Sequence, residues 1–542
     1  MFDGIYNHDF PEFDQDLRWN DVLDTNDGLH PQVLGHSGDM DPYLLQNYQY
    51  GLSNIFQFKQ LSVHSVSQSS VPTQFLLSQP DLFSSSRQEM GHGKISLKTS
   101  KEKLEDLVPR DTGVRLISLF RRFILPQYPI FSEPQFPDSQ TSPPHLLAAI
   151  YTIAQPFAKF DDVLSIELAY ENLNNEALFQ IILEALRYEA HNPNIATAQT
   201  LLLVILRPST NPLVLESSFR WSLMGTLVAT SQTLGLHHDP TSWNISRSQI
   251  ALRRRLSCTI FTTDKWLAAS LGRPPLIMQD TWLVTSLSVA DGHGSYLSSA
   301  LWSTHLQYSK LGSLMGDVLN KLFSLRAMHE LASNIEETTS TSRCLLKELS
   351  DWHQDFTSHS GQHPKEDTSL PIICTLGYHY SQMTIFRATI RPFLANVHEN
   401  VTTPDITNPD QSNRAETLSF TRAGVHSSTA VATTFVKSLH QDHSHMFWPH
   451  WSQVAFSCIC FLDLLMATSS LDTQEALAWF QELHAARREI RLKSAMLPVL
   501  RLGLLRIDAI FWKGIDKVLH LLPHVREALE VSLETDEAHI RP

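Results

Sequence analysis

Cysteine is scarce in this chain, with five residues in 542, and the first of them is Cys258. No CxxC pair occurs. Zinc ribbons and zinc clusters need closely spaced thiolates, so none is expected from these residues. Cys258, Cys344, Cys374, Cys458 and Cys460 are expected as small buried hydrophobes in a reducing compartment. Basic residues are also in deficit, with Lys and Arg numbering 42 against 56 Asp and Glu, for a net charge of −14. A protein that grips nucleic acid by its overall charge has the opposite balance. Long apolar runs are missing as well. The most apolar, LLLVIL at 201–206, is too short to span a bilayer, and no membrane association is expected. The acidic N-terminus lacks an apolar signal core, so secretion is not expected. Neither GxSxG, P-loop, GxGxxG nor HExxH is present, and no catalytic residue is assigned.

What is present is a 42% hydrophobic chain with helical periodicity over most of its length. Residues 1–40 set Phe2, Tyr6, Phe10, Phe13 and Trp19 among Asp3, Asp9, Glu12, Asp14, Asp16 and Asp21. That pattern predicts a disordered acidic and aromatic segment, either an activation segment or a solvated tail. Residues 41–111 read as a loosely structured linker, residues 112–525 as one all-α domain, and residues 526–542 as a tail. Alternating strand patterns are almost absent, so the expected class is all-α, a large multi-helix domain.

The most informative stretch is LRRRLSCTIFTTDKWLAASLGRPP, residues 252–275. Gly235 follows the last periodic residue of a helix, where a left-handed cap is expected. Asp239-Pro240 opens a turn, and Ser246 with Gln249 has capping-box spacing, so a helix should start just after Ser246. Leu252, Leu256, Ile260, Thr263, Leu267 and Leu271 give it an apolar stripe, and Gly272 with Pro274 and Pro275 ends it. Three consecutive residues fan over about 200° of a helix. Arg253, Arg254 and Arg255 therefore cannot share one phosphate groove, and at least one needs an acidic or carbonyl partner beside the stripe. Asp264 and Arg273 are candidates for a polar tie in the core.

Other clusters are weaker. His237-His238-Asp239 reads as turn residues rather than a metal site, and adjacent histidines point apart. His440, His443, His445 and His450 with Asp442 form a denser set. Cys458 and Cys460, two apart on a helix, point in opposed directions and share no metal. Arg487, Arg488, Arg491 and Lys493 read as a solvated helix face, weak as an import signal.

The run from Leu234 to Trp282 resembles the fungal-specific transcription factor regulatory domain, the helical middle homology region of fungal zinc-cluster activators. The matching elements are Leu234-Gly235-Leu236-His237, Asp239-Pro240, Trp243, Leu252 to Leu256 with its three arginines, Asp264-Lys265-Trp266 and Gly272-Arg273-Pro274. Upstream, Leu125-Pro126-Gln127-Tyr128-Pro129-Ile130 resembles the proline-flanked opening of that region. Downstream, DHSHMFWPHWSQVAFS at 442–457 is similar to an element of the subgroup that activates nitrogen and γ-aminobutyrate catabolism.

The resemblance implies an all-helical, non-enzymatic, nuclear regulator of RNA polymerase II transcription. Its implied partners are a zinc-cluster transcription factor or a second copy of itself, together with the transcription machinery. Relatives carry six cysteines and two zinc ions ahead of this region. No such ligands precede Cys258, so no cofactor is expected of the residues present and DNA contact is expected to be indirect. The alternatives are a co-regulator or inhibitor that pairs with a full activator, or a reading frame truncated ahead of its zinc cluster.

Overall fold

A computed structural model describes residues 23–24, 29–51, 54–58, 61–67, 70–92, 97–170, 172–209, 211, 213–360, 369–394 and 409–540. The longer helices of the first half are α1 (Arg110–Phe123), α2 (Pro144–Ala154), α3 (Asn175–Glu189), α4 (Ile195–Leu206) and α5 (Ser217–Thr233). Helix α6 (Arg247–Leu271) follows. The second half holds α7 (Ser299–Phe323), α8 (Ile335–Ser360), α9 (Ser369–Thr389), α10 (Pro409–Ser438), α11 (Ser452–Thr468), α12 (Thr473–Ser494), α13 (Arg501–Lys513) and α14 (Pro523–Ile540). The all-α expectation holds for the bulk of the chain. Among the described residues no helix is long and apolar enough to cross a membrane.

Two large hydrophobic cores form, one from α1–α5 and one from α7–α14. Helix α6 feeds both. Leu256, Ile260, Phe261 and Leu267 enter the first, while Trp266, Ala268 and Ala269 enter the second. That double duty corrects the expectation of an amphipathic helix, because 19 of its 25 residues are buried. A helix between two cores has little solvent-facing surface, so its buried Arg, Lys, Asp and Thr residues must find partners inside the protein.

The region read as a linker departs most from expectation. It holds a four-stranded antiparallel sheet in the order β1-β4-β3-β2. The strands are β1 (His30–Val33), β2 (Ile55–Gln57), β3 (Leu61–Ser67) and β4 (Thr73–Ser78). Phe75 pairs with Val33 on one side and His64 on the other. In β3 the five consecutive residues Val63 to Ser67 are all buried, serines included. With both faces covered, the alternation that marks a half-exposed strand is lost. Leu97–Leu107 is helical too.

Strand β1 also takes up part of the acidic segment expected to be disordered. Residues 1–22 and 25–28 of that segment lie outside the described residues. Leu23 and Asp24 are buried against the fold. At the other end, α14 begins before the expected tail and buries Val525, Ala528 and Leu529, so no boundary falls at 525.

Candidate functional site

The segment singled out by the sequence folds as a turn and helix, and most of the helix's polar groups face inward. Gly235 adopts φ +68° just after α5, the left-handed cap its position predicts. Its lack of a side chain has a second use. A Cβ there would lie 2.8 Å from Cζ of Phe75 on β4, so the sheet packs directly on the bare backbone. Asp239 then caps the Pro240 turn by accepting from the Thr241 backbone N–H at 3.0 Å. Trp243 meets Phe75 edge to face at 5.4 Å. The backbone N–H of Asn244 donates to the Val66 carbonyl at 2.8 Å, fastening the turn to β3. Ser246 and Gln249 form the reciprocal capping box, and Gly272 closes α6 at φ +63°.

The three arginines leave this helix in three directions. The Arg253 guanidinium donates to both carboxylate oxygens of Asp24, at 2.9 and 2.6 Å, and to the Leu234 carbonyl at 2.9 Å. It also lies 5.6 Å from the Phe75 ring centroid and 5.4 Å from that of Trp243. Arg254 donates to Asp291 at 2.8 Å, to Asp239 at 2.6 Å and to the Ser286 carbonyl at 3.1 Å. Burial would raise the Asp239 carboxyl, but the hydrogen bonds from Arg254 and Thr241, with the Arg254 charge, together outweigh it and hold the group below the usual carboxylate range.

Arg255 contacts carbonyls alone. It donates to Pro129 at 2.9 Å, Phe131 at 2.9 Å, Asp291 at 2.8 Å and His293 at 3.0 Å. Burial lowers its pKa to about 10, with the Asp291 charge acting in opposition. One guanidinium thereby joins α6 to the Pro129–Phe131 segment and to the 291–293 turn. With five N–H donors, the planar fork can satisfy carbonyls on two separate stretches of chain at once.

Farther along α6, Asp264 does form a polar tie, but with a different partner from Arg273. Its carboxylate accepts from the backbone N–H groups of Leu276 at 3.0 Å and Ile277 at 3.1 Å, and from Lys265 at 3.0 Å. Lys265 also donates to the Ile277 carbonyl. The pair clamps the chain where it returns after the Gly272-Arg273-Pro274 bend. Arg273 instead lies 5.5 Å from the Trp221 ring centroid on α5. Trp266 stacks on Trp451 at 4.4 Å, which ties α6 to the 442–457 element. Phe447 and Trp451 are buried and Trp448 is partly so.

The histidine sets are dispersed by comparison. His237 packs beside His238 and Trp282, and burial lowers its pKa to about 4. The His443 Nδ1 accepts from the His440 backbone N–H at 3.0 Å. Among the described residues no group of three or more His, Cys, Asp or Glu could hold a metal ion. The basic run on α12 is paired rather than open, since Arg487 and Arg491 both donate to Asp508.

Several key residues were not singled out beforehand. Asp24 and Asp291 carry the arginine network, and Ser257 bridges the Leu236 carbonyl and the Trp282 indole N–H at 2.6 and 2.9 Å. Trp282 lies at the end of the matched run, but nothing local marks Asp24 among the acidic residues around it.

Residues 116–354, which include the arginine triplet, match the model of the fungal specific transcription factor domain. An uncharacterized transcriptional regulatory protein of Schizosaccharomyces pombe is 27% identical over 322 residues, 58% of this chain and 48% of the relative. The transcriptional activator protein DAL81 of Saccharomyces cerevisiae is 23% identical over 419 residues, 67% of this chain and 40% of that protein. Cutinase transcription factor 1 alpha of Fusarium vanettenii is 31% identical over 150 residues, 26% of this chain and 16% of its own length. The chain thus spans less than half the length of these relatives. No solved structure matches. The domain match ends at 354, whereas the second core continues to α14, so the fold is larger than the matched region.

Proposed function

We propose that this chain is a nuclear regulator of RNA polymerase II transcription that works through its helical domain. It reaches promoters through a DNA-binding partner, either a zinc-cluster transcription factor or a second copy of itself, and controls nitrogen or other catabolic genes. The signature residues Gly235, His237, Asp239, Pro240, Trp243, Arg253, Arg254, Arg255, Asp264, Trp266, Gly272, Arg273 and Pro274 serve the architecture of that domain and not a reaction.

One observation carries the reading. All three guanidiniums of the arginine triplet are held by internal carboxylates and carbonyls, with Arg253 and Arg255 almost wholly buried. A phosphate contact would require breaking those bonds and exposing charges that the core now satisfies. The domain match and the regulatory relatives supply the rest.

The test is a reporter assay with these 542 residues tethered to a heterologous DNA-binding module. Output should change, and should vary with nitrogen source. Reporter output unaltered under every nitrogen source would count against regulation. Tight, sequence-specific binding of duplex DNA by the purified chain alone would overturn the indirect route.

A further inference from the structure

Where the two large cores meet, the described residues line a partly open cavity of about 230 Å³. Its walls come from the short turn Gln155–Phe160 after α2, from Arg220 on α5, from the last turn of α6, from residues 444–453, and from Pro498 and Val499. The volume is smaller than the roughly 300–1,000 Å³ of sites for drug-sized molecules and suits a small metabolite. Phe157, Phe160, Phe447 and Trp448 provide apolar walls.

The charged groups in the wall are of one sign. Lys159 and Arg220 are the charged lining residues, and no carboxylate lines the cavity, in a chain whose net charge is −14. His450 presents two ring nitrogens, both out of solvent and both without a hydrogen-bond partner among the described residues. Arg220 is 3% exposed and its Nε–H is likewise unpartnered. Its other two nitrogens are occupied, Nη1 by the Ile205 carbonyl and Nη2 by the Arg207 carbonyl at 2.7 Å, Ser209 at 3.1 Å and Glu216 at 3.2 Å. Glu216, which holds that orientation, sits in the left-handed region at φ +48°. Leaving buried donors unmade is costly, so orphan donors at a cavity wall point to an occupant that accepts from them.

We propose that this cavity binds a small organic carboxylate with an aromatic or branched apolar body. The carboxylate accepts from the Arg220 Nε–H and from an N–H of His450, and the apolar body lies among Phe157, Phe160, Phe447 and Trp448. Burial beside Arg220 keeps His450 neutral, with its pKa pushed down to about 3, so one of its nitrogens carries a proton to donate. The site touches both cores. Leu267 and Leu271 of α6 line it, as do residues 444–450, which lead into α11 at Trp451, and Trp451 stacks on Trp266. An occupant therefore bears on the contact that joins the two halves. This goes beyond the regulatory reading and can be tested without a promoter, so its failure leaves that reading standing.

The experiment uses the full purified chain with phenylacetate, benzoate and isovalerate as probes and phenylacetamide as the uncharged control. Thermal shift and titration calorimetry read binding. A carboxylate should raise Tm and release heat, and the amide should do neither. His450→Leu should weaken binding roughly tenfold or more, the loss of one charge-assisted hydrogen bond. Leu271→Trp, at a partly exposed wall position, should abolish it while circular dichroism stays unchanged. Three results would overturn the assignment: no response to any carboxylate at millimolar concentration, equal response to the amide, or unaltered binding in a folded Leu271→Trp variant.

Discussion

The Asp24 carboxylate accepts two hydrogen bonds from the Arg253 guanidinium, at 2.6 and 2.9 Å, across 229 residues of sequence. Neither side chain is exposed by more than 1%. The pair pins the acidic N-terminal part of the chain to the helix on which both large cores converge. It also explains why the arginine is tolerated there, since a buried guanidinium is stable only with full hydrogen bonding.

Asp24→Ala should destabilise the protein by about 3–5 kcal/mol, because it leaves Arg253 buried and uncompensated. The double variant Asp24→Leu, Arg253→Met should recover much of that loss, since apolar replacement of a whole buried pair is often neutral. Urea unfolding of the two variants beside the wild type measures both. A mild effect of Asp24→Ala would mean that the leading segment contributes little to the fold.

Gly235→Ala combines two costs. The φ of +68° is unfavourable for any residue with a Cβ, and that atom would press on Phe75. The expected loss is roughly 2–4 kcal/mol. Adding Phe75→Leu should return the steric part and leave the backbone part, a split that a double-mutant cycle in thermal unfolding resolves.

Asp463 on α11 is 1% exposed, and burial raises its pKa to about 8, opposed by a hydrogen bond from Thr429. The native state thus keeps a proton that the unfolded chain releases near 3.8. The sign follows: native stability falls as pH rises from about 4 to about 8, because the native state binds more protons than the unfolded one. Asp463→Asn mimics the protonated form. It should raise Tm at neutral and alkaline pH and flatten the pH dependence, with a gain of a few kcal/mol at about 1.4 kcal/mol per pH unit. An unchanged slope from acid to alkaline pH would show that Asp463 is not protonated in the native state.

Much of α6 was legible in advance. The capping box at Ser246 and Gln249, the stop at Gly272, the left-handed Gly235 and the Asp239 turn all appear where the residues predict them. The stripe drawn along that helix was too narrow, since the polar residues between its leucines are buried as well. The sheet escaped notice because β3 mixes Ser and His with Val on two covered faces. The cavity escaped too, because its walls come from segments as far apart as Pro156 and Val499.

Sequence alone determined the beginnings and ends of helices and the need for partners at Arg253, Arg254 and Arg255, because caps act over three or four residues and buried charge must be satisfied. It could not choose which of 56 acidic residues would answer Arg253, nor that Arg255 would take four carbonyls and no carboxylate in direct contact. Those choices were made by the tertiary structure. Packing α6 between two cores brings distant backbone and side chains to the same few ångströms, and only that juxtaposition decides which group satisfies which.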